Sequence, residues 1–256
     1  MQEKRIAVVL AAASVFASVA VADEAAGPHS FTGNFAITTD YLFRGISQTQ
    51  NKPALQGGFD YAHSSGLYVG VWGSNVKWVD TGGYKDNNSL ELDLYGGYKG
   101  ELGPLSYDLG MIRYYYPGDY VANATSPDTT EAYVGLGWQF LSFKYSHVVS
   151  ENFVGWKGSN DQKTRGSQYY DLSLAYPLEN GWGIGAHVGY QKVKHNSDAS
   201  YTDWNVYVSK DLGFGTVKLM YADSNADGCG SASRAYCWDG KDVGDARAVL
   251  SFSKTF

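Results

Sequence analysis

The chain has 256 residues and a formal net charge of −6 with no basic tract, which excludes the electrostatic footprint of a nucleic-acid-binding protein. It is rich in Tyr (21), Phe (11), Trp (7) and Gly (31), at a mean hydropathy of −0.30. Its 5 His residues show no metal-ligand spacing and no G-x-S-x-G is present, so neither a metal centre, a cofactor nor a common hydrolase motif is expected.

In chain order, Lys4 and Arg5 precede an apolar run over residues 6–20, and Ala20-Val21-Ala22 places small residues before Asp23. This is the layout of an export signal, too short for a spanning helix. Residues 1–22 are read as a signal peptide and 23–256 as one mature domain, whose formal charge is −7 once Glu3, Lys4 and Arg5 are removed. No second apolar run long enough for a transmembrane helix follows.

The stretch 39–76 sets the pattern for the rest. Leu55, Gly57, Phe59 and Tyr61 alternate with Gln56, Gly58 and Asp60; after His63-Ser64-Ser65-Gly66, Leu67, Val69 and Val71 alternate with Tyr68, Gly70 and Trp72. Two strands with one apolar face each, joined by a turn, make a hairpin. The order DY, RGIS, PALQGG, DYAHSSGLY and GVWGSNV in this stretch resembles the opening segment of the TorF porin family, outer-membrane proteins first grouped without a function. That resemblance implies a β-barrel and a channel, and supplies neither a substrate nor a catalytic residue.

Alternation recurs to the end of the chain. A first strand carries Phe31, Gly33, Phe35, Ile37, Thr39 and Tyr41 on its outward face, and later strands set Leu90, Leu92 and Leu94, Leu105 to Met111, Ala132 to Trp138, and Leu141 to Tyr145 outward. Residues 170–176, 182–190, 204–208, 217–221 and 246–252 continue the series, while 113–116 leave their register open, with room for a bulge. About twelve strands result, an even number as in bacterial single-chain barrels.

Alternation alone does not separate a soluble sandwich from a membrane barrel. The connections do: short ones at 63–66, 100–104, 139–141, 178–181 and 210–215 alternate with long polar ones at 44–53, 77–88, 117–130, 148–167, 192–200 and 223–243. Short periplasmic turns against longer extracellular loops are the asymmetry of outer-membrane barrels. Outward aromatics also gather at strand ends: Tyr61, Tyr98, Trp138, Tyr176, Trp182 and Phe256 below, Tyr41, Phe43, Tyr170, Tyr190 and Trp204 above. The fold expected is an all-β, transmembrane, antiparallel up-and-down barrel in the outer membrane, surrounded by its lipid. Leu250, Phe252 and the terminal Phe256 resemble the signal read by the barrel-assembly machinery, with Lys254 as a departure. Cys229 and Cys237 are the only cysteines, and an exported chain pairs them; no His stands nearby to complete a metal site.

For function, the inward positions carry Glu91, Asp93, Asp108, Glu131, Asp171 and Asp203 against Lys144, Lys218 and Arg247, with His187 among them. Glu91, Asp93, Glu131, Asp171 and Asp203 fall near the long-loop ends of their strands, and rings of like charge set ion preference in pores. Inward Gly residues point to free space; cross-strand ion pairs filling a narrow barrel are the alternative. Arg44 is read either as a cation folded over the acidic mouth or as a loop anchor paired with a carboxylate such as Asp40. A channel for small hydrophilic solutes or ions leads, ahead of a structural or adhesive barrel and of a lipid hydrolase built on His147.

Overall fold

The computed structural model describes residues 27–256, so the expected signal peptide lies outside the described residues. Among the described residues, twelve antiparallel strands close into a barrel. They are β1 (His29–Thr38), β2 (Ala54–His63), β3 (Leu67–Asn75), β4 (Leu90–Leu102), β5 (Leu105–Tyr115), β6 (Thr129–Trp138), β7 (Leu141–Val148), β8 (Gln168–Pro177), β9 (Trp182–Lys192), β10 (Tyr201–Asp211), β11 (Thr216–Ser224) and β12 (Arg247–Thr255). Each strand pairs with its neighbours in sequence, and β1 pairs with β12 to close the ring. Short turns and long loops alternate as expected. The register at 113–116 is unbroken, running from Leu92↔Tyr115 to Leu102↔Leu105.

Burial is inverted relative to a soluble protein. Phe31, Phe59, Leu94, Leu172 and Leu219 are exposed on the outside, whereas Glu91, Asp93, Glu131, Asp171 and Asp203 are buried within. Apolar side chains on the outer face and polar ones inside are the partition of a barrel whose solvent is lipid. Tyr98, Trp138, Tyr176 and Trp182 are exposed at the short-turn end, and Tyr170, Tyr190 and Trp204 at the other.

The closing seam depends on the last residue. Gly33 and Phe256 exchange both backbone hydrogen bonds, at 2.7 and 2.9 Å, beyond the β1–β12 ladder. The Phe256 ring covers Gly33, where an added Cβ would lie 2.6 Å from it.

Several inward glycines do not leave the free space expected of them. Gly70, Gly110 and Gly185 stand directly across from Tyr95, Tyr133 and Tyr207. A Cβ at those positions would come within 2.4, 2.5 and 2.2 Å of the facing Tyr. Each glycine is a seat on which an aromatic ring lies against the wall. Tyr95 completes its seat by donating to Asp60 at 2.6 Å, and Tyr68, across from Gly97, donates to Asp108 at 2.6 Å while bonding Tyr133.

The long loops carry structure of their own. A short helix α1 (Trp78–Thr81) and three two-residue ladders, Leu42–Phe43 with Ile46–Ser47, Lys85–Asp86 with Asp119–Tyr120, and Cys237–Trp238 with Lys241–Asp242, sit above the barrel or in its mouth. Cys229 and Cys237 form a disulfide within the last long loop, as expected.

Candidate functional site: the loop-covered lumen

β1 ends at Thr38, and the chain then turns inward. Asp40 directs that turn: its Oδ1 accepts from Ser47 Oγ at 2.6 Å and from Thr49 Oγ1 at 2.8 Å, and its Oδ2 from Arg247 at 3.0 Å. Tyr41 and Phe43 therefore do not belong to the outer aromatic girdle. Tyr41 is buried and donates to Glu91 at 2.6 Å, while Phe43 packs edge-on against Tyr114 with ring centres 5.3 Å apart. The loop end at which both were expected to face lipid has its polar anchor inside the barrel.

Residues 42–47 form a hairpin that descends into the lumen with Arg44-Gly45 at its tip, φ 51° and 78°. Two consecutive left-handed residues make the tight turn whose twist suits a hairpin, and Asn or Gly is the usual first residue. Arg44 takes that position, 4% exposed. Its Nη2 donates to Glu131 Oε2 at 2.6 Å and its Nη1 to Gln191 Oε1 at 2.7 Å. The guanidinium lies 4.2 Å from the Tyr169 ring centre and 4.7 Å from that of Phe43. Asp40 is thus not its partner. Gly45 fits where a Cβ would meet Asp203 Cβ at 2.6 Å.

Around this tip stand the five carboxylates expected near the mouth. Glu91 and Asp93 project from β4, Glu131 from β6, Asp171 from β8 and Asp203 from β10, each less than a twentieth exposed. They are covered by the loops. Among the described residues, Asp93 Oδ1 and Glu131 Oε1 have no hydrogen-bond partner, though both are buried.

His187 bridges two members of the belt, Nδ1 3.2 Å from Asp171 Oδ2 and Nε2 3.0 Å from Asp203 Oδ1. Ser173 Oγ is 3.1 Å from His187 Nδ1, which superficially gives a Ser–His–Asp arrangement. Both ring nitrogens face carboxylates, however, and Ser173 donates to Asp171 at 2.7 Å. The imidazole has no free nitrogen to accept a proton from the hydroxyl, so the cluster ties β8, β9 and β10 together and lacks a general base. His147, on the outer side, bonds Tyr145 OH at 3.0 Å.

The remaining expected lumen residues lie elsewhere. Lys144 projects 4.0 Å above the Tyr133 ring centre in the middle of the barrel, close to Asp108 across Gly135. Lys218 lies 5.4 Å from the Tyr207 ring centre towards the short-turn end. Arg247 is at the upper rim, holding Asp40 and Asn51. Exposure of inward side chains rises down the wall: along β10, Tyr201, Asp203 and Asn205 are buried, Tyr207 and Ser209 partly so, and Asp211 exposed. The lumen is covered at the long-loop end, and its side chains grow more exposed towards the other.

The closure is aromatic and draws on all six long loops. Ile46, Trp78, Tyr84, Tyr116, Phe153, Val193, Ala199, Tyr236 and Val243 bury one another over the hairpin. Trp78 packs edge-on to Tyr116 at 5.0 Å and lies 5.8 Å from Trp238, which sits next to the disulfide. The cavity left beneath, lined by Phe43, Gln48, Trp156 and Tyr201 among others, has a volume of about 30 Å³, room for about two waters. Burial under this canopy pushes the Tyr84 hydroxyl up to about 12. On the outer surface of the loops, the Lys163 hydrogen bond and charge hold the Glu151 carboxyl below its usual range.

Lys85 went unread in the sequence. It is 2% exposed and clamps two loops, reaching the Tyr116 carbonyl and lying 3.6 Å from Asp128, with the Tyr120 ring centre 4.3 Å away. Its signal was a Lys directly after an aromatic, Tyr84-Lys85, in a loop that also carries Trp78.

A family model matches residues 22–256. The chain belongs to the family described as bacterial protein of unknown function (Gcw_chp). No curated protein matches this member of Gcw_chp. Among solved structures it is similar to the KdgM porin, with a TM-score of 0.53 at 9% identity over 88% of this chain and 99% of that one. A structure titled "KdgM porin in complex with disordered oligogalacturonate" gives 0.54 at 9% identity over the same shares. The NanC porin gives 0.53 at 10% identity, covering 88% of this chain and 98% of that one. At such identities these likenesses show the fold.

Proposed function

We propose that this Gcw_chp protein is a channel of the bacterial outer membrane that passes small hydrophilic solutes and favours cations. The observation that carries this reading is the belt of Glu91, Asp93, Glu131, Asp171 and Asp203 inside a closed barrel with an apolar outer face. Carboxylates facing one lumen sum their fields and concentrate cations. The similarity to porins and the TorF resemblance support the channel; the leader at 1–22 and the girdles support the outer membrane. Oligogalacturonate, named for one KdgM structure, is polyanionic, and a belt of the same sign argues for a different solute here. The protein is not an enzyme in this reading, and no residue is assigned a catalytic role. Leu250, Phe252 and Phe256 present the assembly signal, and Asp108, Lys144, Lys218 and His187 line the path below and beside the belt.

The second reading is a structural barrel without transport, favoured by the closed mouth. Conductance of the purified barrel in a planar bilayer, with reversal potentials across a salt gradient, separates them. Cation preference is expected, stronger at 0.01 M salt, where the Debye length is about 30 Å, than at 0.1 M, where it is about 10 Å. Asp93→Asn with Asp171→Asn removes two charges at constant size and lowers that preference. An anion-selective wild-type pore overturns the charge reading, and a barrel that conducts nothing even with its loops loosened leaves the structural one.

A further inference from the structure

We propose that the wall site formed by Glu131, Gln191 and Tyr169 is a guanidinium-recognition site for permeating organic cations, and that Arg44 occupies it as a tethered competitor holding the mouth shut. This rests on the channel reading and adds to it a ligand class and a gate.

Three observations carry it. The first is the chemistry of the wall. Glu131 and Gln191 offer two oxygens, 2.6 and 2.7 Å from separate nitrogens of one guanidinium, and Tyr169 lies 4.2 Å from it, face and edge contacts all satisfied from strands β6, β8 and β9. A forked pair of acceptors plus an aromatic face is how proteins recognise a planar guanidinium, and a lysine ammonium would not reproduce the fork. These three residues belong to the barrel, so the site persists if the hairpin leaves.

The second is the surplus of negative charge. Glu131 Oε1 and Asp93 Oδ1 remain buried beside the occupied site, without a partner among the described residues. Buried acceptors without donors are costly, and a wall evolved only to dock Arg44 has no need of them. A second, entering cation does.

The third is the manner of attachment. The hairpin's own ladder is two residue pairs, Leu42↔Ser47 and Phe43↔Ile46, and none of its residues pairs with a barrel strand. Arg44 also sits at φ 51°, where a long side chain is disfavoured. Its place at the tip is explained by what the side chain reaches. Polar contacts to the wall, replaceable by water or by a solute, hold the Arg44 tip. Phe43 and Ile46 pack on Tyr114 and the canopy, and Ser47 N–H bonds the Val243 carbonyl, so the tip can let go while its base stays in place.

The test uses the full-length folded barrel in planar bilayers, with guanidinium chloride at millimolar concentration as the probe and tetramethylammonium, a cation without donors, as the control. Wild type is expected to open rarely and to be insensitive to guanidinium from the loop side. Arg44→Ala should raise the open conductance severalfold and make the current blockable by guanidinium but not by tetramethylammonium. Adding Glu131→Gln to Arg44→Ala should weaken that block on the order of tenfold, the effect of losing one charge-assisted hydrogen bond on a dissociation constant. Glu131→Gln alone, which keeps the hairpin, should lengthen openings; it serves if Arg44→Ala assembles poorly by heat-modifiable mobility. A conducting wild type whose currents are unchanged in Arg44→Ala and Glu131→Gln overturns the gate and leaves the channel standing. An opened Arg44→Ala pore that guanidinium and tetramethylammonium affect alike overturns the recognition site. If wild type and both variants conduct nothing, the channel reading itself falls.

Discussion

Removal of Phe256 tests the seam and the assembly signal separately when compared with Phe256→Ala. The ring is 68% exposed, so about a third of it is held against protein, chiefly over Gly33. Full burial of a Phe side chain is worth about 1.5–3 kcal/mol, which makes the Ala substitution cost about 0.5–1 kcal/mol. Deletion also removes the two backbone hydrogen bonds exchanged with Gly33. Each is worth about 1 kcal/mol in water and more at the edge of hydrocarbon, where no solvent replaces it, so deletion costs about 3 kcal/mol. Urea titration of barrels refolded into lipid vesicles without any assembly factor, followed by heat-modifiable mobility, reads both values. In cells, by contrast, both variants should lose folded barrel to a similar degree if, as proposed above, the assembly machinery reads the aromatic side chain. A deletion no more damaging in vesicles than Phe256→Ala refutes the seam argument. Wild-type levels of folded barrel in cells for both variants refute the assembly role.

Gly70→Ala should destabilise the barrel by about 2 kcal/mol or more, since the new methyl displaces the Tyr95 ring and with it a hydrogen bond to a carboxylate, Asp60; an unchanged urea midpoint would show that the ring seats are incidental. Replacing Cys229 and Cys237 together by Ser should leave the barrel's unfolding unchanged while proteolysis within 225–246 accelerates, because a bridge of separation 8 staples one loop, worth about 2–3 kcal/mol to that loop. A shifted barrel transition would refute this.

The strands were legible because each is decided locally: Leu90 and Leu94 turn outward and Glu91 and Asp93 inward whatever the rest of the chain does. Tyr41 and Phe43 were misplaced for the same reason. They continue the period of Ile37 and Thr39, and what turns them inward is Asp40, whose partner Arg247 is more than two hundred residues away. The glycine seats were hidden likewise, since nothing near Gly70 announces that Tyr95 stands opposite. The carboxylate belt could be placed by alternation; its cover could not. One signal went unused: Trp78, Trp156 and Trp238, three of the seven Trp, fall in long loops that a purely solvated surface would not furnish so richly. Of the two readings of Arg44, a cation folded over the acidic mouth and an anchor paired with Asp40, the geometry agrees with the first, on Glu131 and Gln191. Those partners were not legible because they come from strands that only the closed ring brings together.

The canopy has a consequence for the order in which the molecule is made. Eleven of the barrel's twelve pairings join strands adjacent in the chain, so hairpins can form early and add to one another at little entropic cost. The canopy instead joins Gln48, Trp78, Phe153, Tyr201 and Trp238, from regions that share no hairpin. It cannot consolidate until β1 has met β12. The nascent barrel is therefore a bottomless and lidless cylinder whose acidic interior is wet from both ends, and the mouth closes as a late, separate event. Amide protons of residues 76–89 and 225–246 should gain protection after those of the strands, on a slower clock.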